Sequence, residues 1–470
     1  MRHGLWALAL VVGLAQAAPL RSTLDDQKAL AVTVYNGDLA LVKDTRQVEL
    51  PAGQSVLELR DVSAQMRPET ALLRVADGKP ITLLEQNFDF DLLTPAKLLE
   101  KYVGREVRVL RTNATSGADT SETATVLAAS DGVVLKIGDR IETGLPGRLV
   151  FDAVPDNLRD RPTLAVSLES AGAGQRALEL SYLTGGLTWQ ADYVAELAAD
   201  EKNLALSGWV TLTNRSGTAY RNARLQLVAG DVNRVRPAMA RGMVMAEMAA
   251  KADAGAMQEE SLLDYHLYTL GRPTTLADQQ TKQVALLSAP TVQVSKEYRL
   301  AGAEYYYTAQ VGEIGRAQKV AVLLQVGNTK AAGLGLPLPA GVVRVYQRDA
   351  TGGVQFVGED RIDHTPENET AQIKLGDAFD VTARKTQTDF KALTVGKNDR
   401  PQFESAYRIE LKNAKKTPVI VTVLEPIPGD WQVLESTLRH DKADAHTARW
   451  RVTVPAGGGQ TLTYRVRVRF

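Results

Sequence analysis

The sequence predicts a mainly-β protein: a multi-unit antiparallel β-sandwich, Ig-like or fibronectin-like, with a small SH3/Sm-like barrel module and few short helices. Three observations carry this expectation. Residues 177–230 hold four successive strand patterns separated only by turn residues, and no proline occurs from Thr163 to Arg236. Leu178, Leu180 and Tyr182 fall on one face, as do Trp189, Ala191, Tyr193, Ala195 and Leu197; Leu204, Leu206, Val210 and Leu212 follow, then Ala223, Leu225 and Leu227. Alternation of period two marks half-buried antiparallel strands. Turn chemistry is the second observation: Asn36-Gly37 separates AVTVY from DLALV as a type I′ hairpin would, and Pro51-Ala52-Gly53 leads into VLELR. The third is a change of texture at Thr94-Pro95, which read as N-cap and first residue of a short helix ending before Gly104. About five short strands with tight turns follow, the pattern of a small closed barrel.

Taken in order, residues 1–17 read as a signal peptide. Arg2 and His3 precede an apolar run from Leu5 to Leu14, and Ala15-Gln16-Ala17 fits cleavage after Ala17. The run is too short to span a bilayer, no later stretch is long and apolar enough to do so, and a periplasmic or secreted location is expected. The chain has no cysteine, which rules out thiol catalysis and thiolate metal sites and leaves stability to the core. Residues 18–94 form an N-terminal β unit, 95–153 the barrel-like module and 154–235 the central antiparallel block. Residues 236–262 break the pattern: five of the seven methionines lie there, and eight alanines lie between Ala238 and Ala256. This segment reads as a flexible insertion. A second β unit over 263–385 and a C-terminal sandwich unit over 386–470 complete the chain.

Lys+Arg and Asp+Glu are both 55, so no global field favours nucleic acid, and none is expected as a partner. The sequence carries no G-x-S-x-G, H-E-x-x-H or P-loop motif, and past the leader its histidines are His266, His364, His440 and His446. The leading reading is a non-catalytic envelope protein without cofactor, binding another protein or a cell-surface polymer. The alternative is an exported hydrolase of envelope glycan acting through carboxylate pairs such as Asp89 and Asp91; against it, NFDFD alternation puts Phe88 and Phe90 in the core and leaves two exposed charges. Met239, Met243, Met245 and Met248 offer soft thioethers to Cu(I), but without histidine or cysteine they equally suit an adaptable linker.

Two surfaces stand out. Tyr265, His266, Tyr268, Arg272 and Lys282 combine residue types common in recognition surfaces, or else pack between sheets. At the C-terminus, RWRVTV turns through PAGGGQ into TLTYRVRVRF. Paired as a hairpin, these strands bury Trp450, Val452, Val454, Tyr464, Val466, Val468 and Phe470, and leave Arg449, Arg451, Arg465, Arg467 and Arg469 on one outer face. That face reads as an anion-binding surface, or as an edge guarded by charge and interleaved with acids of a neighbouring strand such as Glu410.

The segments from Trp189 to Tyr193, Thr211 to Asp231 and Ser261 to Leu287 resemble a bacterial family of unknown function related to the mucoidy inhibitor A proteins. The likeness extends over most of the chain from about Ala29. It implies an exported, β-rich envelope protein and supplies no catalytic residues.

Overall fold

A computed structural model of the chain describes residues 19–76, 80–155, 158–230, 257–262, 265–393 and 400–470. Residues 1–17, expected to be a signal peptide, and the methionines at 239–248 lie outside these residues. Met257–Leu262, the end of the segment expected to be a flexible insertion, instead forms a strand paired antiparallel with Tyr265–Leu270. The described chain divides into two units. One takes in the residues up to Thr188 with Thr213–Leu227 and Arg272–Lys282; the other holds Trp189–Leu212, the described part of Val228–Gly271, and Gln283–Phe470.

In the first unit, Leu20–Ser22, Gly53–Arg60, Thr163–Ser170 and Ile81–Asp89 lie side by side in one sheet. A second sheet orders Tyr220–Ala229, Gln27–Tyr35, Leu39–Leu50, Gly174–Thr184 and Leu72–Val75. Alternation does what it should: Val32, Val34, Val42, Leu178, Leu180 and Tyr182 are buried while their neighbours are not. The expected hairpin at Asn36-Gly37 forms with a longer turn. Tyr35 faces Leu39, and the positive φ values fall on Gly37 and Asp38. This shift lets the Asp38 carboxylate accept the Gly186 N–H at 2.7 Å, which fixes the turn from outside.

The 95–153 module is where the barrel expectation fails. Its helix, Pro95–Lys101, is capped by Thr94 as expected, the Thr94 hydroxyl accepting from Lys97 N at 3.2 Å. Its five strands form an open sheet in the order Arg140–Thr143, Val134–Ile137, Asp119–Ala128, Glu106–Thr112, Arg148–Val150. The two edges do not pair, and no sheet among the described residues closes on itself. Leu99 and Tyr102, from the helix and its C-cap, cover Val107, Val109, Val126 and Leu135. That contact hides the apolar face that closure would otherwise have to hide.

The second unit keeps the expected layered β packing but corrects how its layers are joined. Apart from Met257–Leu262 and Tyr265–Leu270, its strands belong to one hydrogen-bonded sheet of 13 strands that folds over on itself, rather than to the two independent sheets of an Ig-like or fibronectin-like unit. Nor is it wholly antiparallel: Ala191–Leu197 runs parallel to Gly341–Gln347, and Tyr298–Ala301 parallel to Val421–Leu424. The fold-over depends on the long strand Gln280–Ala301. Val294–Arg299 pairs with Glu313–Gly327, which continues through Thr370–Ala392, Gln402–Asn413, Gly459–Arg469 and Asp430–Ser436. From Tyr298 the same strand also pairs with Val419–Pro426, which leads to Thr447–Val454 and His440–Asp444. The two layers so formed share one core, in which Trp450 lies 4.7 Å from Tyr464 between ring centroids.

Strand ends recur in one form. Asn214 Nδ2 donates to the carbonyls of Thr218, Leu276 and Ala277, and its Oδ1 accepts from Ser216 N. Asn413 repeats the two local contacts at the same offsets and pairs with a distant strand end too, donating to Thr417, Val454 and Pro455 and accepting from Lys415 N. Each amide satisfies backbone groups that a terminating strand leaves over. Asn328 does similar work for Leu336, Thr365 and Pro366.

Candidate functional site

Where Gln280–Ala301 turns from one layer to the other, it opens a polar cleft of about 310 Å³ on the outer face of the second unit. Alternation selects its residues. Tyr298 and Leu300 point inward, so Glu297 and Arg299 point out; Val421 and Val423 point inward, so Thr422 points out; Trp450 and Val452 point inward, so Arg449 and Arg451 point out. Register brings Arg299, Thr422 and Arg451 into a single row across three neighbouring strands.

Two of the guanidinium groups are held by acids. Arg299 donates from Nε and Nη2 to Glu297 at 3.1 and 2.8 Å, and from Nη1 to Gln372 at 3.0 Å. Gln325 adds a bond to Glu297 at 2.6 Å. Burial pushes the Glu297 carboxyl up, but the hydrogen bonds from Arg299 and Gln325 outweigh it and hold the group below its usual range. Arg449 forms a bidentate pair with Asp441 at 2.9 and 2.8 Å, which lowers that carboxyl. Arg451 has no ion pair among the described residues and acts on Asp441 through its charge alone. The cleft is therefore lined by two oriented cations, Arg299 and Arg449, and one uncommitted one, Arg451.

The five C-terminal arginines do not share a face. Thr447–Val454 pairs with Val419–Pro426 and His440–Asp444, whereas Gly459–Arg469 pairs with Gln402–Asn413 and Asp430–Ser436. Both strands turn their apolar sides into the shared core, so Arg449 and Arg451 face away from Arg465, Arg467 and Arg469. The second group is interleaved with acids: Arg465 donates to Asp389 and Glu404 at 2.8 and 3.0 Å, and Arg467 to Glu404 at 3.1 Å. Glu404 does here what was expected of Glu410, which lies opposite Thr461.

The other candidate surface divides between the units. Tyr265, His266 and Tyr268 belong to the second, Arg272 and Lys282 to the first. Tyr268 is buried and its hydroxyl donates to Pro337 O at 3.1 Å, so it packs and anchors. Lys282 Nζ donates to Thr274 Oγ1 and Thr275 O. Trp189 and Tyr193 are buried as expected of anchors, and the Tyr193 hydroxyl donates to Pro339 O at 2.8 Å.

At NFDFD the assignment of faces is corrected. Phe90 is 66% exposed and stacks on Phe88 at 5.6 Å, while Asp89 is held by Arg159 and Asp91 by Lys97 and Lys101. Ile81–Asp89 is an edge strand whose burial does not alternate, so period two carried no information there. Arg299 is the cleft residue that sequence reasoning missed. Its outward direction was legible in KEYRL, but the parallel pairing that sets it beside Thr422 joins segments with no local signal.

Residues 178–470 match the model of a domain family of unknown function, DUF4139. The chain belongs to that family. It is the family related to the mucoidy inhibitor A proteins, and its match takes in all three segments that carried the resemblance while beginning well after Ala29. No curated protein matches the chain. The DUF4139 match includes every strand of the cleft and every C-terminal arginine.

Proposed function

We propose that this DUF4139 protein is exported by its leader and acts without catalysis in the envelope, binding a phosphate-bearing cell-surface polymer in the Arg299–Arg451 cleft. The observation that carries the reading is Arg451, a guanidinium set beside two restrained ones and committed to no carboxylate. Neighbouring strands lie about 4.8 Å apart, so Arg299 and Arg451 stand roughly 10 Å apart on either side of Thr422, and guanidinium forks suit phosphate oxygens. The non-catalytic part is supported by what the histidines do: His364 Nδ1 accepts from Ala340 N at 3.1 Å, and His440 lies on Trp450 with centroids 5.7 Å apart. The leader reading rests on Arg2, the Leu5–Leu14 run and Ala15-Gln16-Ala17; export should yield a chain beginning at Ala18.

The test is binding of the exported protein to lipopolysaccharide, with soluble polyphosphate as competitor. Affinity should fall as salt rises, and Arg451→Gln should weaken it about tenfold, the value of one charge-assisted contact. Arg465→Gln and Arg467→Gln should leave it unchanged. Loss through the second pair with Arg451→Gln unaffected would overturn the assignment.

A further inference from the structure

Behind the cleft, in the core shared by the two layers, lies a lysine–glutamate pair that the binding reading does not use. Lys385, on Thr370–Ala392, and Glu425, on Val419–Pro426, are both 0% exposed, and Nζ donates to Oε2 at 2.6 Å. Tyrosine rings surround the amine, with Tyr306 and Tyr407 at 4.5 and 4.6 Å from Nζ, and Tyr307 and Tyr464 at 5.6 and 6.0 Å. The Tyr307 hydroxyl also donates to Oε2 at 2.7 Å and is 2.9 Å from the Tyr464 hydroxyl. The other carboxylate oxygen, Oε1, is buried without a hydrogen-bond partner. Space for the carboxylate comes from Gly302, where a Cβ would stand 2.1 Å from Oε2.

A buried ion pair with one oxygen unsatisfied is a costly arrangement, because desolvation of both charges is offset only when every lone pair is met. We propose that Lys385 and Glu425 condense to an intramolecular isopeptide bond that joins the two layers of the second unit covalently. Burial pushes the Lys385 amine below its ordinary range against the opposing pull of Glu425, which favours the neutral nucleophile.

The step balances without oxidant or reductant. The ammonium–carboxylate pair and the amine–acid pair contain the same atoms, and the second is the reacting form. The Nζ lone pair attacks Cδ, and Tyr307 donates to the negative charge that develops on Oε2. One of the two amine protons passes to Oε1, which already carries the acid proton, and Oε1 leaves as water. Oε2 remains as the amide oxygen, still bonded to Tyr307. Condensation is uphill for separate molecules in water, but fixed neighbours react at effective concentrations on the order of 10⁵–10⁸ M. The product also replaces two buried charges with a neutral amide. In a chain without cysteine, such a bond would supply the covalent tie that disulfides give other exported proteins.

Mass spectrometry of the folded, full-length wild-type protein tests this. The expected result is a branched peptide joining the segments around Lys385 and Glu425, one water lighter than their sum, with no tryptic cleavage after Lys385. Lys385→Met and Glu425→Ala should each abolish the branch and restore the full mass. Recovery of both wild-type peptides as linear species, with cleavage after Lys385, would overturn the proposal whether or not either variant folds.

Discussion

At the scale of single residues, buried polar groups decide more than their number suggests. Asn413 meets three carbonyls and one N–H, so Asn413→Ala leaves several groups unpaired in a closed site. The loss should be on the order of 3 kcal/mol, read from the shift in urea midpoint. The equivalent change at Asn214 should cost a similar amount, since it too meets three carbonyls and one N–H. Tyr193→Phe removes only the bond to Pro339 O and should cost about 1–2 kcal/mol, whereas Trp189→Ala removes a core ring and should cost about 3–5 kcal/mol. A stable Trp189→Ala protein that had merely lost affinity would move Trp189 from the core account to the site. These inward residues were legible because tight alternation left them no other face. The distant amide contacts were not, since Leu276, Ala277, Val454 and Pro455 lie at strand ends far along the chain.

Acid titration at Glu297 belongs to the same scale. Its folded carboxyl is held below the usual range, so its contribution is fully present above the unfolded value and is lost as pH falls through the folded one. Stability should therefore decline below the ordinary glutamate range, and Glu297→Gln should make that decline shallower. A variant with an unchanged acid limb would show that Arg299 does not stabilise the folded carboxylate.

Among elements, the sequence predicted strands better than their partners. The helix at Pro95–Lys101, the hairpin across residues 36–38 and the strands of the central block all form. Yet Gly174–Thr184 and Leu187–Leu197 part at Gly185-Gly186 and pair with different neighbours, although one alternating pattern runs through both. The C-terminal hairpin failed for the same reason: burial of Trp450 and Tyr464 is satisfied by stacking two layers as well as by pairing two strands. The barrel failed because a helix can hide an apolar face as effectively as closure. The consequence for the last strand is specific. Arg465 and Arg467 sit in partly exposed ion pairs, so Arg465→Gln should cost less than about 1 kcal/mol. A loss several times larger would show that the Glu404 pairing fixes the register of this edge.

For the whole molecule, the DUF4139 region contains an open, folded-over sheet of 13 strands whose turning strand creates a cleft on the outside and a sealed polar pair on the inside. Neither follows from composition: a chain with equal numbers of acids and bases can still gather three guanidinium groups at one cleft once register sets Arg299 and Arg451 on either side of Thr422. Hydrogen–deuterium exchange of the protein, with and without polyphosphate, is the most direct measure of the central claim. Slowed exchange should map to the strands carrying Arg299, Thr422 and Arg451, and vanish for Arg451→Gln. Protection confined instead to the strand of Arg465, Arg467 and Arg469 would contradict it.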